Sequence, residues 1–199
     1  MKILARSVSY LLHPFLIPLY GLFFIFNTGS VFSIIPGRVQ IYCYAVTVLS
    51  LVLIPVFGMF LMKKFNLITD YDLEMKQERI YPALLTIFSA FLGFYLIGRI
   101  PYAVIIQQLF LILIIVLSGF SIITLRWKIS MHMTAIGAIC GFLMIIGLKY
   151  MGDVRLVFML MLILSGILAA SRLYLKKHNP AQIYTGFLLG ITFVVGILF

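Results

Sequence analysis

The sequence predicts an all-α protein, a polytopic transmembrane bundle of six to seven spans, and three observations carry that prediction. Hydrophobic residues make up 64% of the 199-residue chain, charged residues only 10%, and the mean hydropathy is +1.20. A soluble domain is about 45–50% apolar and about 25% charged, so this chain lacks the polar surface to face water. Apolarity also runs unbroken over stretches close to the roughly 20 residues that a helix needs to cross a bilayer core of about 30 Å. Those stretches do not alternate with period two, which excludes barrel strands and leaves helices.

Seven runs follow in order. Val8–Asn27 comes after the basic start Met1–Arg6, and no small-residue cleavage site follows it, so it reads as a retained span. Within it His13-Pro14 and Pro18 predict a bend at an interface. The remaining runs are Val39–Met62, Pro82–Gly98, Tyr102–Leu125, His132–Leu148, Leu156–Ser171 and Ala181–Phe199. Their connections are short, apart from Lys63–Tyr81. Small residues recur four apart at Gly137 and Gly141, Ser165 and Ala169, and Gly186 and Gly190. In lipid such spacing lets helices approach closely, so the last three spans should pack tightly. Residues 1–199 read as one integral-membrane domain.

Charge gives the topology. With seven crossings, the loops Lys63–Tyr81, Arg126–Met131 and Arg172–Pro180 share one membrane side with the amino terminus. Only Arg38, Arg99, Lys149 and Arg155 fall opposite, so eleven of the 15 cations and all three histidines gather on the motif side or at its edge. The positive-inside rule favours the cytoplasm for that side, with an extracytoplasmic face as the alternative, and the expected location is the inner, cytoplasmic membrane of a bacterium. The formal charge of +10 points to lipid head groups and their phosphates as partners rather than to nucleic acid. Cys43 and Cys140 lie inside apolar runs and read as small buried hydrophobes.

Three polar clusters carry candidate chemistry. Lys76 and Arg79 are three apart, and on one helical turn they face the same way, which suits a phosphate dianion. Ser130 and His132 stand at the mouth of an apolar run, where an imidazole can exchange a proton near neutrality or simply bond a carbonyl. In the third cluster, Arg172 precedes His178 and Gln182 follows His178 by four. If Pro180 opens a helix, the Gln182 oxygen can accept from the His178 Nδ1–H and direct Nε2 to attack.

Taken together the clusters resemble the type 2 phosphatidic acid phosphatase superfamily of membrane lipid phosphatases. That family carries Lys-x6-Arg-Pro, Pro-Ser-Gly-His and Ser-Arg-x5-His-x3-Asp in this order. The third motif stands here as Ser171-Arg172, five residues, His178, three residues and Gln182, with Gly186 beyond it. The second is Ile129-Ser130-Met131-His132, and the first is reduced to Lys76, Arg79 and Pro82. The resemblance covers Lys76 to Gly190 and implies a metal-independent, cofactor-free hydrolase. It implies His178 as the nucleophile, forming a phosphohistidine, and His132 as the proton donor to the leaving alcohol. It implies Lys76, Arg79, Ser130 and Arg172 as ligands of the phosphoryl oxygens. Gln182 replaces the family's aspartate, which removes a negative charge beside the nucleophile.

The expected substrate is a phosphorylated membrane lipid of the phosphatidic acid, phosphatidylglycerophosphate or polyprenyl pyrophosphate class. A non-catalytic phospholipid-binding or transport protein on the same fold is the alternative. Prenyl transfer would draw on Asp70-Tyr71-Asp72, but the second acid-rich motif that it needs is missing.

Overall fold

The structure is a computed structural model and describes residues 1–199 except Asp72, Glu74, Lys76 and Tyr102. Eight helices and no strand occur among the described residues. They are α1 Lys2–Leu11, α2 Ile17–Asn27, α3 Gly37–Lys64, α4 Ile80–Ile97, α5 Val104–Arg126, α6 Met131–Lys149, α7 Arg155–Tyr174 and α8 Pro180–Leu198. The six helices α3 to α8 are long and apolar enough to cross a membrane. Residues 1–199, read above as one domain, divide into two compact units, Met1–Gln40 with Ile129–Phe199, and Ile41–Lys128.

The first apolar run is not a continuous span. It breaks between Leu11 and Ile17, where Pro14 has no N–H to give a helix and restrains His13 before it. At about 1.5 Å per residue, the 11 residues of α2 rise about 16 Å, short of a bilayer core. The hydroxyl of Tyr20 donates to the Leu11 carbonyl at 2.8 Å and ties the two pieces together. Between them they still connect the two ends of the first unit. Ser9 sits beside His132 at the start of α6, while Thr28 accepts the Asp153 N–H at 2.9 Å beyond its end.

The core of this unit is a glycine seam between α6 and α8, which run parallel. A Cβ on Gly137 would lie 2.2 Å from the Phe187 carbonyl oxygen, and one on Gly190 would lie 2.1 Å from that of Thr134. An added Cβ would lie 2.7 Å from the Ser130 carbonyl oxygen at Gly186 and 3.1 Å from that of Ile191 at Gly141. At Gly137, Gly186 and Gly190 a side chain would force the backbones apart, whereas at Gly141 the contact is only tight. The predicted pairs Gly137–Gly141 and Gly186–Gly190 therefore form the two halves of one interface. Ser165 is buried in α7, where its hydroxyl donates back to Leu162. One consequence sets the site: the parallel seam brings the N-termini of α6 and α8 side by side, and the Ser130 N–H donates to the Gln182 carbonyl at 3.2 Å.

In the second unit, α3 is interrupted by a π-helical turn at Leu49–Leu53. Pro55 cannot donate to the carbonyl four residues before it, and the ladder widens so that the Ile54 N–H reaches Leu49. Gly93 of α4 admits the Phe110 ring of α5, and the interface continues through buried Ala83, Ala90, Ile97, Ile105 and Ile106. Cys43 and Cys140 are buried free thiols, as expected.

Candidate functional site

The site is assembled from three chain breaks at one end of the first unit. The first is the end of α7. Lys177 N–H bonds the Arg172 carbonyl at 3.1 Å and Lys176 N–H bonds that of Leu173 at 2.9 Å, the double closure of a Schellman turn. Such a turn needs a left-handed residue, and Lys176 takes that place at φ +54° where glycine is usual. The reversal ends α7 and leads through His178 into α8.

The second break is the start of α8. Pro180 occupies the first turn, and Asn179 caps the helix by accepting the Gln182 N–H at 2.9 Å. The Gln182 side chain returns the bond, its Oε1 accepting the Asn179 N–H at 3.2 Å. That same oxygen lies 3.1 Å from His178 Nδ1. Because a backbone N–H fixes which amide atom is oxygen, the imidazole must donate to it. His178 therefore holds its proton on Nδ1 and its lone pair on Nε2. This is the arrangement that the spacing of His178 and Gln182 predicts.

At the start of α6, Ser130 is wholly buried and its oxygen accepts the Met133 N–H at 3.4 Å as the N-cap. His132, two residues on, points its Nε2 at the Ser9 carbonyl of α1 at 3.2 Å. A carbonyl only accepts, so Nε2 carries the hydrogen and Nδ1 is the titrating nitrogen. The charges of Arg172, His13 and His178 all act on this ring. His13, in the α1–α2 break, meets His132 edge to face with ring centroids 5.3 Å apart. Burial first and the Arg172 guanidinium second hold the His13 imidazole below the ordinary value of 6.5.

The predicted residues thus divide. His132, His178, Arg172, Gln182 and Ser130 come together at one end of the first unit, although Ser130 is engaged as a helix cap. Arg79 belongs to the second unit, where it is buried and its Nε donates to the Leu73 carbonyl at 2.8 Å. It lies ahead of α4 in a turn with Gln77 and Glu78. Glu78 there accepts from the Thr69 N–H and hydroxyl at 3.1 and 3.0 Å. Lys76, Asp72 and the start of the Tyr102 run lie outside the described residues. Among the described residues no three His, Cys, Asp or Glu side chains are grouped to hold a metal ion.

Sequence reasoning assigned no role in the site to Ser9 and His13. A proline after His13 signals a bend, but nothing local says that the bend folds against a helix whose histidine lies more than a hundred residues on. Comparison of the chain with family models, with curated proteins and with solved structures returns no match.

Proposed function

We propose that this protein is a membrane lipid phosphatase that hydrolyses a phosphomonoester or pyrophosphate lipid through a phosphohistidine on His178. The observation that carries the reading is the grouping of two imidazoles of fixed tautomer with one guanidinium. His178 bonds Gln182 through Nδ1, His132 bonds Ser9 through Nε2, and Arg172 acts on His132. Phosphoryl transfer asks a protein mainly for position and for positive charge on the equatorial oxygens, and these groups supply both.

In the first half-reaction His178 Nε2 attacks phosphorus while the bond to the lipid oxygen breaks. His132 Nδ1 gives a proton to that oxygen, and Arg172 offsets the charge on the phosphoryl group. In the second, His132 takes a proton from water as the water oxygen attacks the phosphohistidine, and phosphate leaves. Gln182 orients the nucleophile throughout but adds no charge to the imidazolium that forms. The apolar helices around the site suit a substrate whose phosphate sits at the interface while its tails stay in lipid.

Phosphate release from phosphatidic acid, phosphatidylglycerophosphate and polyprenyl pyrophosphates in purified protein tests this. Turnover of at least one is expected, with acid-labile phosphate trapped on His178 and complete loss in His178→Ala. Turnover that survives His178→Ala removes the nucleophile. Salt-sensitive lipid binding without any release leaves the non-catalytic binding protein instead.

A further inference from the structure

The mechanism above gives no role to His13, yet the fold places it against the proton donor. It stands edge to face with His132, the ring planes at 83°. Its Nδ1 accepts the Phe15 N–H at 3.3 Å, so in the neutral ring the proton sits on Nε2. His132 is fixed at its own Nε2 by Ser9 and exchanges its proton at Nδ1. Arg172, from α7, lays its charge on both rings, and His178, ahead of α8, adds its influence on His132. From the other elements, α1 presents the Ser9 carbonyl and α2 carries no charged residue.

Two unit charges about 4 Å apart repel by about 4 kcal/mol at an effective dielectric constant of about 20. With Arg172 permanently charged, two adjacent imidazoliums are disfavoured near neutrality. We propose that His13 and His132 form one coupled titrating pair, in which His13 is the positioning partner of the proton donor. The pair holds at most one proton. In the phosphatase cycle that proton leaves His132 Nδ1 for the leaving oxygen, which takes the electron pair of the broken P–O bond, and both rings end neutral. The attacking water returns a proton to His132 Nδ1 when the phosphohistidine is hydrolysed. The positioning role rests on the lipid phosphatase reading, whereas the coupled titration does not.

The test follows ring-15N-labelled histidines by NMR titration of the full chain in lipid nanodiscs. The three histidines are few enough to assign. In the wild type, two of the three rings are expected to titrate together in two shared steps separated by more than about one pH unit. In His13→Gln, His132 should collapse to one simple step. Independent one-proton curves for all three wild-type rings overturn the proposal, whether or not the variant folds. So does a His132 curve that is identical in His13→Gln. Coupled titration in a protein that releases no phosphate from any lipid keeps the pair and discards the phosphatase.

Discussion

Gln182 carries two tasks with one oxygen, since it closes the helix cap on Asn179 and orients His178. Gln182→Ala is therefore expected to lower stability by on the order of 1 kcal/mol, read by thermal unfolding in detergent. It should also reduce phosphate release by tenfold or more, because the His178 tautomer is no longer set. Gln182→Glu separates geometry from charge. In serine proteases the change from carboxylate to amide at the equivalent partner costs about 10⁴ in turnover. On the proposed mechanism a carboxylate here should raise phosphate release at least tenfold, and an unchanged rate would show that ring orientation alone is used. Lys176 offers a purely conformational test. Its left-handed backbone is compatible with glycine, so Lys176→Gly should hold or slightly raise stability, while Lys176→Val should cost about 1–2 kcal/mol. The His178–Gln182 bond was legible in the sequence because it is local, set by one helical turn after a proline. The second role of Gln182, in the capping box with Asn179, is equally local, but the spacing alone pointed only to the bond with His178.

At the level of helices, the seam between α6 and α8 decides whether the site exists. Gly190→Leu would push a side chain into the Thr134 carbonyl and the Ala138 nitrogen, 2.1 and 2.5 Å from an added Cβ. The helices would have to separate, with an expected loss of about 3 kcal/mol or more and no folded site. Gly166 of α7 is the matched control. Nothing lies within 4 Å of its would-be Cβ, and Gly166→Ala should stabilise by up to about 1 kcal/mol through helix propensity. Both are read by the same unfolding titration, and equal effects would refute the seam. The four-residue glycine spacing announced this contact in advance, because close approach in lipid depends on side-chain size, which a sequence states directly. The broken first run was only half announced. Pro14 and Pro18 marked a bend, but hydropathy alone still gave Val8–Asn27 the length of a span. What stopped it from being one is backbone geometry between Leu11 and Ile17, to which hydropathy is blind.

Across the whole molecule, pH is the variable that reports on the site. The folded His13 imidazole titrates below 6.5, so over that interval the unfolded chain binds the proton first. The stability owed to the neutral ring is complete above 6.5 and drains away as pH falls below it. Unfolding temperatures measured between about pH 7.5 and about pH 5 should fall more steeply for the wild type than for His13→Asn, and parallel curves would contradict the burial of His13. The membrane character and the helical class followed from composition, a property of the entire chain. The union of Ser9, His13, His132 and His178 did not, because it joins positions as much as 123 residues apart in a single hydrogen bond. That long separation bears on how the protein is made. Ser9 leaves the ribosome long before the α6 helix that it contacts. Until α6 follows, its carbonyl has no His132 to hold, so this end of the first unit closes only after the later helices are made.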